Sequence, residues 1–121
     1  FKKYGESFFR EQESIVLKKI KNSNLKMIIS TGGGTPTHSS NMQKLNKIGK
    51  TIYLQNSFEI LYKNLQKNKE IRPLFQKYNK KELKKIYNGR IKIYTKAHLR
   101  INCTRKSLNE ISEKISDFIT F

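Results

Sequence analysis

Residues 25–34 read Leu-Lys-Met-Ile-Ile-Ser-Thr-Gly-Gly-Gly, a short apolar run that ends in a glycine triplet. A run of that length bounded by turn residues suits a buried strand. Glycines directly after a strand stand where ligands bind in open α/β sheets. Without Cβ atoms, Gly32, Gly33 and Gly34 let backbone N–H groups approach a polar ligand closely. Taken alone, the triplet is equally an ordinary turn.

On the N-terminal side, Phe8, Phe9, Ile15, Val16 and Ile20 recur near helical spacing, predicting a helix from Glu6 to Lys21 closed by Asn22-Ser23-Asn24. On the other side come a polar loop with a short helix (His38 to Asn46) and a strand, Lys50 to Leu54. Asn56 with Glu59 offers a cap for a helix through about Leu65. Pro73 lacks an N–H, so 66–78 reads as a loop or lid around Arg72-Pro73-Leu74. Leu83, Ile86, Tyr87, Ile91 and Tyr94 mark a helix within Asn79 to Lys96, and His98 to Cys103 is a third strand. Ser107 and Glu110 form a capping box for a last helix toward Phe118. Strands alternating with helices predict a single α/β domain over 1–121, its parallel sheet covered on both faces.

At 121 residues, 36% hydrophobic and 29% charged, the chain suits one soluble core, and no apolar run approaches the roughly 18 residues of a membrane span. A single cysteine, Cys103, fits a reducing, cytoplasmic setting and reads as packing rather than catalysis. The balance of 26 basic against 9 acidic residues, +17, directs attention to nucleic acid or an anionic membrane. Against that, Lys, Ile and Asn make up 47 of the 121 residues, a skew expected of AT-rich codons, and the charge is dispersed from Lys2 to Lys114. Neither partner is expected, although a basic nucleic-acid-binding module stays as a competing class.

With 21 Lys to 5 Arg, an arginine is expected where its planar fork matters for carboxylate or phosphate. Arg10 stands beside Phe8 and Phe9 with Glu13 one turn on, either a surface ion pair or a carboxylate-binding guanidinium. Arg72 is either a solvated turn residue or a lid arginine that neutralises phosphate charge. Gly49-Lys50-Thr51 imitates the tail of a phosphate-binding loop, but the pattern needs Gly at position 44, where Lys44 stands, and it precedes a strand instead of following one. His38 and His98 lack companions at metal-ligand spacing.

Taken together and in order, Gly5-Glu6, Phe9-Arg10, Glu13, Ile28 to Gly34, Tyr53-Leu54, Arg72-Pro73-Leu74, and Arg90 with Tyr94 and Ala97 resemble the shikimate kinase family along essentially the whole chain. The resemblance implies transfer of the ATP γ-phosphate to the 3-hydroxyl of shikimate by a cytoplasmic monomer. Arg10 and Arg90 would grip the substrate carboxylate, the backbone of Gly32, Gly33 and Gly34 would hold ring hydroxyls, and Phe1 and Phe9 would line the apolar wall. Arg72 would close with the lid onto ATP. It also implies a P-loop-kinase sheet ordered 2-3-1-4-5. The strands around Met27, Ile52 and Leu99 would be numbers 3, 4 and 5, with a one-strand gap between the first two. The Walker A loop, the Mg²⁺-binding Ser/Thr and the Asp-x-Asp have no match here and are expected in roughly 50 residues upstream of Phe1, together with strands 1 and 2. Asn64 replaces an adenine-facing arginine of the family. A gluconate kinase relative would share the architecture without needing the Arg10 and Arg90 pair.

Overall fold

The computed structural model describes residues 5–67 and 77–119. Helix α1 spans Gly5–Lys21, and a single 3₁₀ turn, Thr35–Thr37, follows the glycine triplet. After it come α2 (Asn41–Ile48), β1 (Ile52–Gln55), α3 (Phe58–Lys67), α4 (Lys80–Tyr94), β2 (Leu99–Asn102) and α5 (Leu108–Phe118). The two strands run parallel, with Ile52 opposite Leu99 and Gln55 opposite Asn102. Because parallel neighbours need a long crossover, the helices between them are a consequence of the pairing. This is the expected α/β class, and the strands around Ile52 and Leu99 are direct neighbours as expected.

Local chemistry explains most boundaries. Asn79 caps α4 by accepting from the Glu82 N–H at 2.8 Å while the Glu82 carboxylate accepts from the Asn79 N–H at 3.1 Å. Ser107 caps α5 through the Glu110 N–H at 3.1 Å. At α3 the cap is Ser57, whose hydroxyl accepts from the Ile60 N–H at 3.3 Å, and not Asn56. The start of the sheet is latched by side chains. The Thr51 N–H donates to His98 Nδ1 at 3.1 Å, and the His98 N–H donates to Thr51 Oγ1 at 2.9 Å. Asn46 joins them, accepting the Thr51 hydroxyl and donating to the Lys96 carbonyl at 2.9 Å. Thr51 and Lys50, which donates to the Phe118 carbonyl at 2.9 Å, therefore hold the sheet to its helices. Neither belongs to a phosphate loop.

The strand expected at 25–30 does not form. A parallel strand exists only as one member of a pair, and among the described residues none offers this segment a ladder. Leu25 and Ile28 stay 77% and 80% exposed. Leu54 on β1 is 49% exposed, so the sheet is not covered on both faces by the described residues. The lid assigned to 66–78 begins inside α3, which runs to Lys67, and positions 68–76 with Arg72 lie outside the described residues.

Among the described residues, Leu17, Met42, Phe58, Leu83 and Ile101 are the buried hydrophobic side chains. Phe58 packs its ring against Tyr62 and Tyr87, and the Tyr87 hydroxyl donates to the Asn56 carbonyl at 2.7 Å, joining α3 to α4. Ile101, 3% exposed, sits in β2, whereas Leu108 opens α5 at 83% exposure. Ile101→Ala is therefore expected to destabilise by about 2–4 kcal/mol through lost burial and a residual cavity. Leu108→Ala should stay within about 0.5 kcal/mol. Urea denaturation of the two variants checks the contrast.

Candidate functional site

The glycine triplet is followed by Thr35 and Pro36, and proline at the opening of the 3₁₀ turn pre-sets its backbone. The Thr37 N–H and hydroxyl both donate to the Gly34 carbonyl, at 3.1 and 2.7 Å, closing the turn. Asn41, fully buried at the start of α2, donates its amide to the Thr35 carbonyl at 2.9 Å. The Thr35 hydroxyl donates to the Glu13 carboxylate on α1. Two helices thus clamp the loop that carries the glycines.

Glu13 in turn accepts from the Arg10 guanidinium, and Glu6 lies 3.7 Å from Arg10 Nε. The Arg10 and Glu13 side chains are only 13% and 16% exposed, so the i,i+3 pair is a desolvated positioning contact instead of a solvated surface bridge. Arg10 also rests over the Phe9 ring, 5.1 Å from its centroid. A Cβ placed on Gly34 would run into the Arg10 guanidinium, and a Cβ on Gly33 would stand 2.9 Å from Arg90 Nη1 and 3.2 Å from the Tyr94 hydroxyl. Two guanidiniums from α1 and α4 therefore pack against consecutive peptide units. Only the missing side chains make room for them.

The two arginines differ in charge balance. Arg10 has two carboxylates beside it; Arg90, half-buried, has no carboxylate partner among the described residues. An uncompensated guanidinium held against a glycine backbone is a candidate site for an anion, and the fork geometry of Arg favours carboxylate or phosphate.

The Tyr94 hydroxyl donates to the Gly33 carbonyl, and its ring lies 5.1 Å from that of Tyr53. Burial pushes the Tyr94 hydroxyl above its ordinary value of 10.0, against the charge and hydrogen bond of Arg90, which pull it down. Tyr53 is raised too, first by burial and then by Tyr87 and Tyr94.

Of the expected site residues, Arg10, Gly33, Gly34 and Arg90 come together. A Cβ placed on Gly32 would meet only Thr35 Oγ1, at 3.7 Å, so this glycine borders the cluster without abutting either arginine. Phe9 reaches the site as the face beneath Arg10 and is 40% exposed. Phe1 and Arg72 lie outside the described residues. Sequence reasoning left Thr35, Asn41 and Tyr94 without a role. The spacing of Tyr94, four residues after Arg90 and so on the same helix face, was the available signal. Arg100 and Arg105 stand elsewhere, the first exposed on β2 and the second at φ 60° in the turn after it. Cys103 is half-buried, and that burial raises its thiol against the influence of Lys106.

The described residues do not fit a Mg²⁺ or phosphate-loop site. No group of three His, Cys, Asp or Glu converges among them, and Lys50 and Thr51 are committed to the sheet latch.

In a parallel α/β protein, two arginines converging on a glycine turn form a candidate site for a small anion. The shikimate kinase family model matches residues 1–120. A shikimate kinase of Clostridium botulinum is 44% identical over 99 residues, 81% of this chain and 58% of that protein. A shikimate kinase of Persephonella marina is 36% identical over 115 residues, 95% of this chain and 68% of that protein. The crystal structure of shikimate kinase from Bacteroides thetaiotaomicron superposes with a TM-score of 0.69 at 29% identity, covering 94% of this chain and 67% of that one. The chain belongs to the shikimate kinase family, and it spans a little under three-fifths of the length of the Clostridium relatives it matches.

Gly34 has an ordinary right-handed backbone (φ −83°, ψ −18°), so alanine there meets no backbone penalty and collides only with Arg10. Gly34→Ala should leave stability within about 1 kcal/mol of wild type while shifting the Arg10 Nε–H resonance in ¹⁵N-edited NMR. Gly32→Ala should leave that resonance in place. Tyr53 and Tyr94 are raised in the folded state, so the fold favours their protonated forms. Their contribution is fully present below pH 10 and lost as pH climbs past it; the urea midpoint, measured across this range, should fall on the alkaline side.

Proposed function

We propose that this chain carries the acceptor-binding part of a shikimate kinase, a phosphotransferase that moves the ATP γ-phosphate to the 3-hydroxyl of shikimate in the cytoplasm. The observation that carries the reading is Arg90, a guanidinium without a carboxylate partner among the described residues, packed with Arg10 against Gly33-Gly34. Membership of the family supplies the ligand: a small ring acid whose carboxylate matches the paired forks.

In this reading the chain's own residues bind and orient. Arg10, held at its angle by Glu13, and Arg90 grip the carboxylate. The Gly33-Gly34 backbone and Gly32 border the ring hydroxyls, and Phe9 with Phe1 forms the apolar wall. The sheet is the P-loop-kinase sheet, with β1 and β2 as its strands 4 and 5, and Arg72, outside the described residues, is assigned to the ATP phosphates. ATP with Mg²⁺ supplies the transferable phosphoryl group. Holding the acceptor in one pose accelerates transfer by turning a bimolecular encounter into an oriented one.

Calorimetric titration of the chain with shikimate is the test. Binding is expected, with the methyl ester much weaker, and Arg10→Lys should weaken shikimate by about 1–3 kcal/mol because a forked charged contact becomes a single one. Equal affinity for acid and ester would overturn the carboxylate clamp. The 121-residue chain by itself should bind shikimate without releasing ADP from ATP, since its described residues offer no phosphate loop.

A further inference from the structure

We propose that the Tyr94 hydroxyl is a positioning group for the acceptor site: it sets the Arg90 guanidinium and the Gly33–Gly34 peptide in one fixed relation, and through them the carboxylate of the bound acid. This inference rests on the carboxylate reading of the site and goes beyond it in assigning Tyr94 a role in recognition.

Three observations meet at one oxygen. Tyr94 donates its hydroxyl proton to the Gly33 carbonyl. The Arg90 guanidinium, one turn back on α4, lies beside the same oxygen, and its charge opposes the effect of burial on that hydroxyl. A Cβ on Gly33 would fall 3.2 Å from that oxygen and 2.9 Å from Arg90 Nη1, so hydroxyl, guanidinium and glycine occupy one another's contact distance. Tyr94 therefore gives its O–H to the Gly33 carbonyl at the place where the Arg90 guanidinium meets the same glycine.

The consequences are directional. A trans peptide is planar, so fixing the Gly33 carbonyl toward Tyr94 aims the Gly34 N–H the opposite way. That N–H donates to no acceptor among the described residues, which leaves it available to a ligand oxygen. On the other side, Arg90 has no carboxylate among the described residues to steer it, unlike Arg10, which Glu13 and Glu6 hold. Tyr94 lies beside the Arg90 guanidinium where Glu13 stands for Arg10, and as a neutral group it confines the guanidinium against Gly33 without quenching its charge. The ring is itself fixed by the tilted contact with Tyr53. Burial keeps the hydroxyl protonated through the neutral range, so the donor to Gly33 persists there.

The experiment compares wild type, Tyr94→Phe and the packing control Tyr53→Phe, each titrated calorimetrically with shikimate and with shikimate methyl ester, folding being checked by thermal unfolding. Tyr94→Phe keeps the ring and loses only the bridge. It should weaken shikimate about tenfold, the loss expected for one charge-assisted hydrogen bond, and change the ester less than about twofold. Tyr53→Phe should leave both ligands near their wild-type affinities. Unchanged shikimate affinity in Tyr94→Phe would overturn the proposal, as would equal losses for acid and ester, which mark a general loosening of the fold. A wild-type chain that does not distinguish acid from ester removes the carboxylate reading itself and the role of Tyr94 with it, a result separate from a failure of Tyr94→Phe alone.

Discussion

The absence of side chains at two consecutive positions, Gly33 and Gly34, is the constraint on which the site depends. Guanidiniums from α1 and α4 occupy the volume that two Cβ atoms would fill. Like charges brought to adjacent peptide units repel, and the molecule answers that repulsion unequally: Glu13 and Glu6 neutralise Arg10, while Arg90 keeps its charge and packs beside a phenol. In the proposed reading, a site built this way is poised for one anion. It retains the electrostatic attraction of an unpaired guanidinium, and the ordering entropy of its side chains is met by contacts made before the ligand arrives.

Those contacts reach into the fold. Glu13 orients Arg10 and accepts from the Thr35 hydroxyl, the Thr35 carbonyl accepts from Asn41, and Asn41 is fully buried where α2 begins. The chain of hydrogen bonds ties the angle of the site's first arginine to the packing of a helix that contributes no arginine to it. A buried polar network of this kind is rigid because each member loses a partner if any one moves. The sheet is a separate unit of order. Its start is latched by Thr51, His98 and Asn46, far in sequence from the glycine turn, and Tyr53 on β1 meets Tyr94 on α4 beside the site.

The hydrophobic interior of the described residues is small, and the apolar side chains of 25–30 together with Leu54 and Leu108 remain open to solvent. A two-stranded parallel sheet is a marginal structure, since parallel strands ordinarily have neighbours on both edges and helices on both faces. Polar clamps at caps and turns therefore carry an unusual share of the definition of this chain: Asn79 with Glu82, Ser107 with Glu110, and the Thr51 latch.

The sequence by itself determined what is local. Helical spacing placed α1 and α4 within a few residues, the capping pair at Ser107 marked the start of α5, and the scarcity of arginine put Arg10 and Arg90 among five residues to explain. Periodicity and caps act within one or two turns, so they are legible without knowing the partner across space. What depended on a distant partner was decided only by the tertiary structure. The 25–30 run has the composition of a strand and no ladder to join among the described residues; Asn56 yields the α3 cap to its neighbour Ser57; Gly49-Lys50-Thr51 becomes a latch. Tyr94 is the clearest case: its spacing put it on the face of Arg90, but only the approach of Gly33, sixty-one residues away, gave its hydroxyl something to hold.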